Sequence, residues 1–347
     1  MKKLLPFLLL ISISACNNGN NAPDVSHIKI DLKTERFEQD FFAIDSNNTK
    51  AGLIQLQEKY PVFLPLFVNH VLGLGPVNDT NELAFEGSKR FLNLNQVVYT
   101  QSQRLYKDFS GTAKELEDGF RYVKHYFPDY KVPTIITTVG PMDALAPMSN
   151  NEPSPNYMGE DFLSVSLQFY LGKDFSIYND PGYISSVAPL YRSARFSKEY
   201  IAGDVFKLVI DDLFPDSSSR YPLIERFIEK GKRLYLLQQF LPNSNDTLLI
   251  GYTGKQLEWC KENERSMYNF FIQQNLLFEI DPALTQNFTT DGPTTQGMPE
   301  QSPGNIGAFL GWEIVKAYMK KKPSVTVAQL MRTSNKNIFN EADYKPH

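Results

Sequence analysis

Apolar residues recur along most of this chain at intervals of three and four, the spacing of one helix face. Within residues 49–129, Leu53, Leu56 and Tyr60 share a face. Phe63, Leu66, Phe67 and His70 make a second short segment that Gly73 and Gly75 end, and Phe120, Val123 and Phe127 line a third. Thr112-Ala113-Lys114-Glu115 has the form of a capping box, a reciprocal pair that satisfies free N–H groups, so a helix is predicted to open there and stop before Pro128. The texture changes at residues 132–139, VPTIITTV, whose β-branched run bounded by Gly140-Pro141 predicts a strand. Residues 161–170, DFLSVSLQFY, alternate: Leu163, Val165, Leu167 and Phe169 face one way, and Ser164, Ser166, Gln168 and Tyr170 the other. That pattern predicts a half-buried strand with a solvated serine face. A shorter strand is expected at 27–32, followed by Phe37, Phe41 and Phe42 at helical spacing.

After residue 183 the helical period returns, with helices predicted at 198–214, 221–240, 254–275, 303–321 and 326–333. Thr253 with Gln256 and Thr326 with Gln329 are two more capping boxes, and Ser302-Pro303 is a favoured helix start. The order of elements predicts a mostly helical α+β fold, with a small antiparallel or mixed sheet packed against helices. No Pro/Gly-rich linker interrupts 27–335, so this stretch is expected to be a single domain, with 336–347 as a C-terminal tail. One helix stands apart. In SPGNIGAFLGWEIVKAYM, residues 302–319, Ile306, Leu310, Ile314 and Tyr318 form a stripe, while Gly304, Gly307 and Gly311 interrupt it. Each helical glycine costs about 1 kcal/mol relative to alanine. Three of them predict a neighbouring backbone packed closely against the glycine face, with Trp312 beside the contact.

The N-terminal apolar run, residues 4–13 behind Lys2 and Lys3, is too short to span a bilayer, which takes about 20 residues. It has the length and flanks of a secretory leader. Ile13-Ser14-Ala15-Cys16 resembles the bacterial lipobox, with Ile where Leu is commonest. The expected arrangement is a signal peptide over 1–15, Cys16 acylated as the new N-terminus (palmitate among its chains), and a flexible Asn-rich tether over 16–26. Two or more acyl chains hold a protein stably to a membrane. The chain is therefore expected in the cell envelope, exported from the cytoplasm and lipid-anchored through Cys16. Asn17 in place of Asp leaves the choice of membrane open.

Loss of Lys2 and Lys3 with the leader makes the mature chain more acidic than the −4 of the whole, which argues against nucleic acid as a partner. With Cys16 acylated, Cys260 stands alone and is expected to be a buried thiol. The four histidines, His27, His70, His125 and His347, are expected at surface, core, surface and terminus, and none makes the HExxH pair of a zinc site. No Gly-x-Ser-x-Gly elbow, P-loop or dinucleotide fingerprint is present. No catalytic residue, metal or cofactor is expected. Glu160-Asp161 and Asp211-Asp212, with Asp204 two turns before the latter, read as solvated acids, although carboxylates with split pKa values can work as an acid–base pair.

Several stretches together resemble the gliding-motility lipoprotein GldB family of Bacteroidetes: HIKIDLKTERFEQDFF (27–42), SLQFYLGKD (166–174), GKRLYLLQQFLP (231–242), IGYTGKQLEWCKENE (250–264) and residues 302–319. The resemblance implies an accessory role in gliding and in the type IX secretion apparatus, with unidentified protein partners there. The order of elements is also remotely similar to zincin-type predicted zinc proteases. In that pattern HExxH would fall near residues 200–214, which hold no histidine, and the third ligand near Leu234, which cannot bind zinc. This implies a degenerate zincin-like architecture, a pseudopeptidase that binds partners in a groove where an edge strand such as 161–170 accepts an extended segment. The alternative is a lipid-anchored hydrolase using carboxylates or a non-standard metal, which requires Asp204, Asp211 or Glu229 to cluster in one open pocket.

Overall fold

The structure is a computed structural model that describes residues 22–347 except Asp79. The leader, Cys16 and most of the tether lie outside the described residues. Among the described residues there are six strands: β1 (Thr34–Glu35), β2 (Thr134–Thr138), β3 (Ala146–Pro147), β4 (Pro153–Ser154), β5 (Tyr157–Met158) and β6 (Phe162–Ser166). Four of them make a mixed sheet in the order β1-β2-β6-β5, in which β1/β2 and β2/β6 are parallel and β5/β6 antiparallel. β3 and β4 close a separate two-residue hairpin. The predicted strand at 132–139 is β2. The one expected at 27–32 is not formed, and pairing begins only at Thr34.

The sheet lies between two helical layers, and its alternation divides the core. Ile135, Leu163 and Val165 join the large cluster built by the C-terminal helices. Ile136 and Phe162 join a smaller cluster with Phe37, Phe41, Phe63 and Phe67 from the N-terminal helices. In the latter, Phe37 meets Phe63 and Phe67 edge-on with ring centroids 4.9 and 5.0 Å apart, a favoured aromatic geometry. The expectation of a half-buried strand at 161–170 is corrected here: every residue of β6 is buried, and so are Ser164, Ser166, Gln168 and Tyr170. Parallel pairing places helices on both faces of a sheet, which leaves no solvated side. Nor is it an edge, since β6 pairs with β2 on one side and β5 on the other.

The C-terminal helices form around one close crossing. Helix Leu223–Phe240 packs along helix Ile306–Lys321, and Gly231 meets Gly311 where they cross. A Cβ on Gly231 would run into the Gly311 carbonyl, and one on Gly311 into the carbonyl of Phe227. The glycine stripe thus does what its sequence predicts, with Trp312 buried alongside. Helix ends differ in detail. The capping boxes at Thr253 and Thr326 are formed. The one at Thr112 is not: the helix begins nearly a full turn earlier, at Ser110, and the Thr112 hydroxyl is buried without a partner. The helix expected from Pro303 starts at Ile306, after Asn305 in the left-handed region at φ 54°. The one expected over 254–275 is broken at Asn263 into Gly254–Glu262 and Glu264–Gln273. Residues beyond 335 are not a loose tail. Asn335–Ala342 is a helix that buries Ile338 and Ala342, and its phase lets it pack back on the central pair.

Candidate functional site

A cleft of ≈ 350 Å³ opens between helix Ile201–Leu213, the β3–β4 hairpin, the segment carrying Arg192 and Arg195, and Asp291 just beyond helix Pro282–Thr289. It continues into a recess of ≈ 130 Å³ between helix Ile201–Leu213, helix Leu223–Phe240 and the start of helix Ile306–Lys321. The two share Met148, Asn150, Glu152, Arg195, Lys207 and Asp291.

The helix period delivers the charged walls. Asp204 and Lys207 are neighbours on one turn, joined at 3.1 Å. Lys230 and Arg233 are likewise three apart on the facing helix. Lys230 donates to Glu152 of the hairpin at 2.5 Å, and Arg233 donates to Asp211 and to the Phe214 carbonyl at 2.8 Å each. Arg195 pairs with Asp291. Gly251 makes room for that guanidinium: it ends helix Asp246–Ile250 at φ 80°, and a Cβ there would lie 2.6 Å from Arg195 Nη1. Burial works to raise the Asp291 carboxyl, but Arg195, with Lys207 and Lys230 behind it, holds it below the usual carboxylate range. Burial likewise opposes the charge on Arg195, and Asp291 and Asp204 more than offset it, so its pKa is raised.

Behind Asp204 a buried polar chain reaches the sheet. The Tyr170 hydroxyl donates to Asp204 at 3.2 Å and accepts from Asn156 Nδ2 at 2.8 Å, while Asn156 Oδ1 accepts the Ser166 N–H at 3.1 Å. Burial, and next to it the Asp204 charge, push the Tyr170 phenol well above its ordinary pKa. The polar face of DFLSVSLQFY is spent on this internal network, and Ser164 lies 3.3 Å from the Thr138 hydroxyl.

Of the acids that sequence reasoning singled out, Asp204 alone lines the cleft. Asp211 is at the far end of its helix, tied to Arg233 and to Ser149. Glu229 sits in another depression, paired with Lys232 at 3.0 Å and with Asn335 at 3.1 Å. The clustering required of a carboxylate hydrolase is therefore not found among them. Glu160 and Asp161 are exposed, as expected. His27, His125 and His347 are exposed too; His70, expected in the core, is also exposed, because it falls on a π-turn at Phe67–Val71 that rotates it off the buried face. Cys260 is buried, and burial pushes its thiol up to about 12.

Helix Ile201–Leu213 and Leu234, where zinc ligands were looked for in the sequence, border the recess. Leu234 and Lys207 line the recess together, and neither hydrocarbon nor a protonated amine ligates zinc. Among the described residues no three His, Cys, Asp or Glu side chains gather closely enough to hold a metal ion. The functional residues that sequence reasoning missed are the cations: Arg192, Arg195, Lys207, Lys230 and Arg233 face Glu152, Asp204 and Asp291 across the cleft and recess. Their only local signal was the pairing of Asp204 with Lys207 and of Lys230 with Arg233 at helical spacing. The lining of the cleft and recess carries five cations and three carboxylates, which favours anions over metal cations, while Arg233 is separately compensated by Asp211, with Asp216 and Glu229 each 3.9 Å away.

No helix among the described residues is long and apolar enough to cross a membrane. Searches of curated proteins and of solved structures find no significant match to the chain. The profile of the family described as gliding motility protein GldB, however, matches residues 18–346, nearly every residue beyond the leader and all of the elements described above. The chain belongs to the gliding motility protein GldB family.

Proposed function

We propose that this family member works as a non-catalytic accessory of the gliding-motility and type IX secretion machinery, lipid-anchored in the cell envelope through acylated Cys16 and holding protein partners there. The observation that carries the reading is the cationic floor of the cleft. Lys207, Lys230 and Arg195 gather with Leu234 around one recess. Each of these cations is already matched to a carboxylate, so the acids present serve as ion-pair partners. A scaffold that keeps two facing helices and a cleft, and fills its centre with ammonium groups and hydrocarbon, is suited to binding and not to bond cleavage. We read the architecture accordingly as that of a degenerate zincin, a pseudopeptidase.

Two measurements test it. Elemental analysis of the purified mature chain, together with mass spectrometry of a peptide pool incubated with it, should show neither stoichiometric transition metal nor new cleavage products. Either one would revive the hydrolase. Cross-linking in envelopes followed by capture of the acylated chain should recover motility or secretion components; recovery of none of them would remove the accessory role.

A further inference from the structure

We propose that the cleft is a binding site for an acidic peptide segment, and that Glu152 is a built-in occupant which the segment displaces. The proposal rests on the partner-binding reading above and names the chemistry of the partner.

Three observations meet here. The cations are recessed: the side chains of Lys230, Arg233 and Arg195 are 14%, 13% and 22% exposed, so only a chain that enters the cleft reaches them. A membrane surface would instead engage lysines that stand proud of the fold. Next, the recess beside them is lined by Ile210, Leu234, Leu237, Leu249 and Ile250, an apolar pocket of side-chain size directly adjoining the charges. A carboxylate next to an aliphatic side chain, as in an acidic peptide, satisfies both walls at once. The first turn of helix Ile306–Lys321 also borders the recess at Asn305 and Ala308, and the positive end of its dipole adds to the field.

The third observation is Glu152 itself. It arrives from the β3–β4 hairpin, whose turn contains Asn151 at φ 62°, and it lines both the cleft and the recess. Its carboxylate rests on Lys230 at 2.5 Å while its own side chain remains 42% exposed. Lys230 is buried enough to need a counter-charge, and Glu152 is exposed enough to give up its place. Exchange of one carboxylate for another keeps Lys230 compensated, which avoids the penalty of an unpaired recessed cation. The hairpin stays attached meanwhile, because the Ser149 amide and hydroxyl remain on Asp211 and the Asp216 amide on Ser149.

The test uses the full mature chain, acylated and held in detergent, and fluorescence anisotropy with two labelled heptapeptide pools. One pool alternates Glu or Asp with Leu, Ile or Val; the other has Gln or Asn in place of the acids. The acidic pool is expected to bind and the amide pool not. Glu152→Gln should tighten binding by up to about fivefold, the range of a surface ion pair. Lys230→Gln should weaken it by about tenfold or more, the range of a hydrogen bond to a charged group. Lys207→Gln, at a side chain 36% exposed, gives a second loss with little risk to folding. Equal binding of the two pools, or an unchanged or weaker Glu152→Gln, overturns the proposal. Stronger capture of phosphatidylglycerol vesicles than of the acidic pool, abolished by Lys230→Gln, would assign the cleft to a lipid headgroup and overturn it too. Cleavage of a bound peptide would instead sink the non-catalytic reading while leaving the site in place.

Discussion

Replacing Gly231 with alanine probes the close crossing on which the C-terminal half is built. Helix propensity alone favours the change by about 1 kcal/mol. Steric overlap at the crossing opposes it more strongly. The new Cβ would lie 2.6 Å from the Trp312 amide nitrogen and closer still to the Gly311 carbonyl, both backbone atoms that no rotamer change can move. Ordinary van der Waals contact requires the two helices to separate by roughly 1 Å. A gap of that size forfeits about a quarter to a half of each dispersion well along the contact. Overpacking without relief costs about 1–3 kcal/mol, sometimes more. Gly231→Ala should therefore destabilise by about 1–2 kcal/mol net, in spite of its better propensity. Urea unfolding of the non-acylated mature chain, followed by far-UV circular dichroism, measures this. Gly111→Ala is the matched control: it sits in the first turn of helix Ser110–Tyr126 with nothing within 4 Å of a new Cβ, and should be neutral or slightly stabilising. If both substitutions stabilise alike, the crossing is not closed by glycine and the reasoning fails.

Four further outcomes follow from individual residues. Cys260, buried with its thiol pushed up to about 12, should resist Ellman's reagent in the native chain carrying Cys16→Ala and react fully in denaturant; native labelling at the denatured rate would contradict its burial. Tyr170→Phe removes the acceptor of the buried Asn156 Nδ2 and one donor to Asp204, and should cost about 1–3 kcal/mol in urea unfolding. Asp291 has its folded pKa depressed, so its stabilisation is complete above the unfolded carboxylate value and is lost as pH falls through the lower folded one; Asp291→Asn should weaken the chain at pH 6 and lose that effect in strong acid, and a deficit that persists in acid would count against the Arg195 pairing. Cys16→Ala should abolish incorporation of labelled palmitate and release the chain from membranes, whereas retained labelling would place the lipid elsewhere.

Local pattern was enough for whatever depends on near neighbours. Periods of three and four gave the helices, β-branching gave β2, the Thr253 and Thr326 boxes formed because cap and partner are three residues apart, and the glycines of 302–319 announced a close approach without naming its partner. Tertiary structure decided everything that depends on what comes to lie opposite. DFLSVSLQFY alternates as a half-wet strand would, yet helices from the distant N-terminal part of the chain cover its second face, and its polar groups turn inward to Asn156 and Asp204. His70 shares the spacing of a buried face but lies on a π-turn, which advances the phase by one residue. The cleft was the least legible feature: Arg195 meets Asp291 and Glu152 meets Lys230 across long stretches of chain, and no local pattern records a pairing of charges that only the packing of separate helices brings within reach.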